Sequence, residues 1–489
     1  MLEYFALVPV LFPLLGAVIV YLLLRFSEPI QKVFILSCMV ALFIVDLGYL
    51  LALLNGMIDE ISLGPLVLDA AGMFISTLVT FLGTLVLCYS FIYRKKTEFD
   101  ATFFIIYFLL AGMMCGMACT YNVLVMLVFL EAATVTSAFL ILYGRTKRAI
   151  KATYIYLGIS IVEVILVVYG AFILFSSTGT LDLRQMDIST IAPPDIFLLG
   201  VLFLFGFGTK AGLFPLSAIW LPPAHADAPA PVSATMSGIL IKAGLIGMVK
   251  VMYPFYILSG IDTLILIVLF VGTLNMVIGG IMAFFAENIK RLLAWSSISQ
   301  MGYIVIGFGL ATPVAIYGSL FHILNHMLFK GSLFLIAGVL LFQVKTLRIH
   351  RMGGLAKVMP LTGLCFLIAS LAMSGVPFLN GFISKEIIYE GSVEAGFPVL
   401  LSVFGLDLTI FGIFGWITSI IIFICLMRAF YLIFMGEPQD AFRNLRDPPL
   451  CTMLPILILV ALCVLIGLFP DLVSGSLEQI AETIYQMRG

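Results

Sequence analysis

Six basic side chains sit inside long apolar stretches of this 489-residue chain: Lys210, Lys242, Lys250, Lys330, Lys385 and Arg428. An ionisable group at mid-membrane costs about 3 kcal/mol or more unless it is paired or hydrated, and by default it marks an ion path. Lys210 lies in Gly206-Phe-Gly-Thr-Lys210-Ala-Gly-Leu-Phe-Pro215, where three glycines and a proline flank a deep lysine. Such a stretch breaks a helix and frees backbone carbonyls beside the ammonium. Lys385 repeats the device in Ser374-Gly-Val-Pro377-Phe-Leu-Asn-Gly381-Phe-Ile-Ser-Lys385. Either lysine could switch protonation when a neighbouring charge moves. Glu131, in Leu127-Val-Phe-Leu-Glu131-Ala, is an acid that either handles protons or forms a structural ion pair with a lysine.

His322, His326 and Lys330 follow at i, i+4 and i+8, one helix face about 12 Å long. Histidine titrates near neutral pH, so the stripe reads as a proton relay, with structural hydrogen-bonding histidines as the alternative. HxxxH also suits zinc, but Ile323 stands where a zinc protease has glutamate and no cysteine is near, so no metal is expected. Lys242 is deep. Lys250, eight residues on, is near a segment end and reads as a snorkelling lysine, and Arg428 as an interface anchor. Glu163 either exchanges protons or pairs with a lysine. Thr209, Ser384 and Glu386 carry oxygens that could hold Na⁺, though they outline no cage. His225 and Asp227, in the proline- and alanine-rich loop Trp220–Pro231, either line a cytoplasmic entrance or belong to a rigid turn.

The elements that position these groups follow from composition. Hydrophobic residues make up 62% of the chain and charged residues 10%, and mean hydropathy is +1.20. A soluble domain carries about 25% charged residues, so the bilayer is the solvent here. The apolar runs are continuous rather than alternating, which selects helices over a barrel. Fourteen segments can be drawn, at roughly 4–24, 32–54, 66–92, 101–119, 121–143, 151–175, 195–220, 231–253, 261–285, 292–310, 313–342, 361–391, 409–435 and 451–470. The first is too long for a signal-peptide core and is read as a span. Seventeen Lys and Arg residues fall in loops after odd-numbered segments; only Arg184 and Arg488 fall in the even loops and termini. That asymmetry puts both termini outside. The net charge of −1 gives no nucleic-acid reading, and the eight cysteines read as packing residues without cofactor ligation.

The expected fold is therefore an all-α polytopic membrane protein with about 14 transmembrane helices. Segments 7 and 12 are both broken and stand five apart, a shift that inverts direction in the membrane. This suggests two inverted five-helix repeats, segments 4–8 and 9–13. The expected organisation is 1–100 for segments 1–3, 101–253 for the first repeat, 261–435 for the second, and 451–489 for segment 14 with a short tail.

The blocks Lys210-Ala-Gly-Leu-Phe-Pro215, Trp220-Leu-Pro-Pro-Ala-His225, Ala228-Pro-Ala-Pro-Val-Ser-Ala234 and Lys242-Ala-Gly-Leu-Ile-Gly247 resemble one family. So do Asn288–Tyr303 and Gly381-Phe-Ile-Ser-Lys385. It is the antiporter-like subunit family shared by respiratory complex I, membrane-bound hydrogenases and multisubunit sodium/proton antiporters. The resemblance implies that Glu131 pairs with Lys210 and that Lys242, His322 and His326 continue a relay to Lys385. Lys330, further along the helix stripe, is expected to face the same cavity. Ala230 stands where the family more often has Thr. The chain ends soon after segment 14, without the lateral helix of the largest complex I member, as expected of a medium-sized member.

The implied function is proton translocation, without redox chemistry or cofactor of its own, as one subunit of an energy-converting complex in a prokaryotic plasma membrane. The alternatives are a sodium/proton antiporter subunit moving Na⁺, or a membrane anchor without transport. Implied partners are other membrane subunits, including antiporter-like paralogues and a small-subunit neighbour, together with the lipid bilayer.

Overall fold

A computed structural model describes residues 2–23, 28–97, 100–258, 262–403 and 405–486. Arg25 and Arg488, and the side chains of Arg94, Lys95 and Lys96, lie outside what is described. The chain forms α1 (Val8–Leu22), α2 (Glu28–Leu54), α3 (Ala70–Thr97), α4 (Ala101–Ala118), α5 (Val123–Leu142) and α6 (Lys147–Thr178). It continues through α7 (Pro193–Ala211), α8 (Leu216–Asp227), α9 (Ala230–Thr235), α10 (Ile241–Leu258), α11 (Asp262–Phe284) and α12 (Ile289–Leu310). The remaining helices are α13 (Pro313–Val344), α14 (Pro360–Ser374), α15 (Asn380–Glu394), α16 (Ile410–Phe434), α17 (Leu450–Leu468) and α18 (Asp471–Gln486). Two short antiparallel hairpins, β1–β2 (Ile61–Leu63, Leu66–Leu68) and β3–β4 (Leu401–Val403, Leu406–Leu408), precede α3 and α16.

Among the described residues, 13 helices are long and apolar enough to cross a membrane, with α7 and α8, and likewise α9 and α10, each counted as one. The shorter apolar α14, with α15 beyond its break, supplies the fourteenth segment. Helix starts follow local chemistry. Asn122 accepts from the backbone N–H groups of Leu124 and Val125, and Asn288 from those of Lys290 and Arg291, so side chains satisfy donors the first turn leaves open.

Both expected breaks are present. Helix α7 stops at Gly212, whose φ of +90° is a left-handed conformation that only glycine adopts cheaply. Helix α14 stops at Gly375 with φ +80°, and Phe378 follows at +71°. Gly381 lets α15 start against α14: a Cβ there would meet the Ala372 carbonyl oxygen at 1.9 Å.

The loop expected over Trp220–Pro231 is instead mostly helix. Residues Leu216–Asp227 form α8 with Pro222 and Pro223 inside it, and only Ala228 and Pro229 separate it from α9. Proline removes a helix hydrogen bond, but burial holds the turn in place, since Trp220, Leu221 and Ala224 are buried. His225 is buried too and stacks on Phe334 at 4.9 Å, so it does not stand in a loop. The tail expected after segment 14 folds as α18, which buries Leu477, Ile480, Ala481 and Ile484 along one face.

The chain divides into two compact units. The first takes the chain up to Trp220, Ile239–Val268 and the residues from Glu482 onward; the second takes Leu221–Gly238 and Leu269–Ala481. These boundaries differ from a simple cut between the repeats. The most hydropathic windows of α2, α6 and α16 are 28–33% buried, whereas the Ala230–Phe255 and α12 windows are 100% and 94% buried. The less buried helices thus offer apolar faces to lipid, while the buried stretches enclose Lys242, Lys250, Lys290 and Gln300.

Candidate functional site

In the first unit, Lys210 ends α7, where its side chain is 1% exposed. Its Nζ lies 3.3 Å from Glu163 Oε2 on α6, a carboxylate with 0% exposure. The ammonium also donates to the Tyr156 hydroxyl and to Ser160 Oγ, each at 3.3 Å. It sits 4.4 Å from the centre of the Tyr156 ring, a cation–π distance. Ser160 Oγ in turn donates to Glu131 Oε1 at 3.3 Å. The direct acid partner of Lys210 is therefore Glu163, and Glu131 reaches it through the Ser160 hydroxyl. Tyr156, Ser160 and Glu163 stand at i, i+4 and i+7 of α6, so one face of that helix supplies all three.

The freed carbonyl at this break serves another group: Thr209 O accepts from Trp220 Nε1 at 3.1 Å. Lys242, fully buried, sits one residue into α10. Gly244 brings that helix against α7, since a Cβ at Gly244 would lie 2.9 Å from Lys210 Cβ and from Ala211 N. Gly247 meets Met117 in the same way, with a Cβ–Cε distance of 2.4 Å. The two glycines of the Lys242-Ala-Gly-Leu-Ile-Gly247 block thus set the α10 packing distance.

Lys250 does not snorkel. Its side chain is 3% exposed, lies 3.6 Å from Asp69 Oδ1 and donates to the Ala118 carbonyl at 2.6 Å.

In the second unit, Lys385 on α15 donates to Met373 O at 3.1 Å and to Ser419 Oγ at 3.0 Å. Met373 O is a carbonyl left open by the α14 break, which is the service expected of a broken helix. The ammonium lies 4.8 Å from the centre of the Tyr303 ring. A cavity of about 420 Å³ opens on it, lined by Ser374, Pro377, Glu386, Trp416 and Phe423 among others.

His322 bridges two helices, with Nδ1 2.8 Å from Ser384 Oγ on α15 and Nε2 3.1 Å from Gln300 Oε1 on α12. Asn325 donates to Asn380 O at 2.8 Å and to Ser384 Oγ at 3.0 Å. His326 is fully buried and packs edge-on to Phe329 at 5.5 Å. Lys330 turns to α12, donating to Leu293 O at 2.7 Å and Ser296 Oγ at 2.6 Å. Arg428 donates to Phe284 O at 3.1 Å at an exposed position, consistent with an anchor.

Sequence reasoning passed over three groups. Lys290, counted as a loop residue, is 1% exposed and donates to Ala228 O at 2.6 Å. Asp69 is buried beside Lys250. Gln300 fixes the His322 ring together with Ser384, whose hydroxyl had been read only as an oxygen that could hold Na⁺. Tyr156 and Ser160 went unread as well, though their helical spacing with Glu163 on α6 was a readable signal.

Two broken helices, each bearing a buried lysine on hydroxyl or carboxylate partners, define a polytopic helical protein built to hold charge within the membrane. The family model described as "NADH:quinone oxidoreductase/Mrp antiporter, TM" matches residues 120–412. A Na(+)/H(+) antiporter subunit of Bacillus subtilis (strain 168) is 30% identical over 494 residues, 98% of this chain and 97% of that protein. Hydrogenase-4 component B of Escherichia coli (strain K12) is 31% identical over 435 residues, 85% of this chain. The match spans 64% of that relative's own length. A chain of the Mrp complex from Dietzia sp. DQ12-45-1b superposes with a TM-score of 0.88 at 20% identity, covering 100% of both chains, which establishes the fold. The chain belongs to the antiporter-like membrane subunit family of complex I, hydrogenase and Mrp-type assemblies.

Proposed function

We propose that this chain translocates protons as one membrane subunit of a multisubunit energy-converting complex, either a complex I-like dehydrogenase, a membrane-bound hydrogenase or a relative. It sits in a prokaryotic plasma membrane with both termini outside, the orientation favoured by the basic loops. Partner subunits supply the redox chemistry and the driving charge change. The observation that carries the reading is the Glu163–Lys210 pair at 3.3 Å, with Glu131 joined through Ser160, all on helices α5–α7 of one unit.

The mechanism is electrostatic. When charge changes in a neighbouring subunit, the acids around Lys210 are disturbed. The Lys210 ammonium then moves between its partners and exchanges its proton toward Lys242. The relay continues through His326 and His322 to Lys385, with Lys330 on the same helix stripe. Like charges in a low-dielectric path repel, so loading one end empties the other. Ser384 and Gln300 hold the His322 ring, leaving its tautomer to decide which nitrogen passes a proton.

The test is transport by the purified complex in proteoliposomes, read with a pH-sensitive dye. Turnover should acidify the lumen at full rate in Na⁺-free buffer, and a protonophore should collapse the signal. Lumenal acidification that needs Na⁺ would move the cargo to Na⁺/H⁺ exchange. Turnover without any ion gradient would leave only the anchor reading.

A further inference from the structure

The first unit contains a second buried lysine–acid pair, which the relay above does not use. Lys250 and Asp69, with side chains 3% and 1% exposed, lie 3.6 Å apart. Tyr121 donates its hydroxyl to Asp69 Oδ2, and its ring centre lies 4.0 Å from Lys250 Nζ. The Arg184 guanidinium lies 5.6 Å from the centre of the same ring and pairs with Glu60 at 3.5 Å, where both side chains are nearly half exposed. Gly72 makes room for the acid: its N–H donates to Asp69 Oδ1 at 2.9 Å, and a Cβ would lie 2.6 Å from that oxygen.

A cavity of about 490 Å³ opens on Lys250 of this pair. It is lined by Glu60, Arg184, Tyr121, Lys250, Tyr253 and Ile246. One liquid water takes roughly 30 Å³, so the cavity has room for a file of waters. Ile246 is the decisive member. It stands four residues from Lys250 and four from Lys242, one helical turn from each. The cavity therefore runs from a charged mouth, past Lys250, to a residue one helical turn from Lys242.

We propose that this cavity is an ion half-channel of the first unit, leading from the basic-poor face to Lys242, with Asp69–Lys250 as its internal gate site. It rests on the ion-translocating reading above and adds a second access route, separate from the cavity at Lys385. A pair that served only to lock α10 to α3 would sit in a dry contact; here the Lys250 partner faces an open cavity with charge at its mouth. Partial burial and the nearby Asp69 push the Glu60 carboxyl above its usual range, against the pull of Arg184 and Lys250, so the mouth acid feels the buried pair. An ion entering would pass Glu60 and Arg184 and reach Asp69 only by displacing the Lys250 ammonium from it.

The experiment is cysteine accessibility in the complete complex in intact cells. A membrane-impermeant cationic methanethiosulfonate is added outside, with the unsubstituted chain as control for the native cysteines. Both positions are buried, but Ile246→Cys, which lines the cavity, should react from the outside, whereas Leu245→Cys, which does not, should not. The reaction should lower proton transport at least tenfold, because it fixes a positive charge one turn from both lysines. Should Ile246→Cys fail to assemble, Val249→Cys lines the same cavity and replaces it.

Labelling of Arg184→Cys at the mouth without labelling at Ile246→Cys overturns the half-channel. Labelling of Ile246→Cys with undiminished transport overturns it as well. The labelling pattern is read whether or not the Glu163–Lys210 pair drives transport. Full transport in Glu163→Gln would therefore remove the relay reading and leave the half-channel standing on its own test.

Discussion

Replacing Glu163 by Gln removes the carboxylate facing Lys210 and keeps its volume. The separation of 3.3 Å, at an effective dielectric of 20, corresponds to about 5 kcal/mol of attraction. Breaking one partner of a buried pair costs about 3–5 kcal/mol in practice, because the remaining charge is stranded. Since 1.36 kcal/mol is tenfold in a protonation equilibrium, the charge balance at Lys210 moves by more than 100-fold. Proton transport by Glu163→Gln should fall at least tenfold in proteoliposomes, at equal complex assembly by immunoblot. Glu131→Gln should be the milder lesion, since Glu131 acts on Lys210 across the Ser160 hydroxyl rather than directly, and attraction falls with distance. The cycle closes with Lys210→Met: a double Glu163→Gln/Lys210→Met variant should lose much less than the two single losses combined, the signature of contact. Transport at the wild-type rate in Glu163→Gln, or a Glu131→Gln defect clearly deeper than the Glu163→Gln defect, would refute the assignment of Glu163 as the partner.

Lys385→Ala should abolish proton pumping while the complex still assembles, whereas Ser419→Ala, which removes one of two hydrogen bonds at about 1–3 kcal/mol, should keep a measurable rate. Gly381→Ala drives a methyl into the Ala372 carbonyl, so α14 and α15 must part; the purified complex should lose about 3 kcal/mol, read as a lowered Tm. Gly244→Val should separate α10 from α7 at Lys210 and slow transport more than it lowers Tm, since the contact it breaks lies between two relay helices.

Both helix breaks were readable because they need particular residues at particular places. Gly212 and Gly375 occupy left-handed conformations, and proline follows each within three residues. The depth of Lys210 and Lys385 was readable from the surrounding apolar run. Partners were not. Asp69 and Lys250 stand about 180 residues apart, and nothing in either local sequence couples them. Position near a segment end therefore favoured snorkelling, and tertiary packing overrode it. Lys290 misled for the opposite reason: it follows a loop and precedes an arginine, yet the first turn of α12 is buried and turns its ammonium to the end of α8. The prolines at 222 and 223 read as a loop because helix propensity is local, while the burial that pins α8 is not. The α6 face was the missed opportunity, since three polar residues at helical spacing in an apolar segment are a visible stripe.

The two broken helices are alike in backbone and unlike in charge. Lys210 faces a carboxylate, so its ammonium is compensated and the local net charge depends on Glu163 and Glu131 together. The Lys385 ammonium donates to a carbonyl and a hydroxyl and lies over an aromatic face, all neutral groups. A protonated Lys385 is thus uncompensated by these contacts, which is costly and makes it answer strongly to any other charge nearby. The first site resists change until its acids are disturbed; the second responds to whatever approaches it. In the proposed relay, that asymmetry would set the direction of transfer. If it is the source of the direction, placing an acid at the second site should blunt it: Ser419→Asp would pair Lys385 as Glu163 pairs Lys210. Such a variant should assemble, bind its proton stably and pump at least tenfold more slowly. Pumping at the normal rate by Ser419→Asp would show that direction does not arise from the difference between the two lysines.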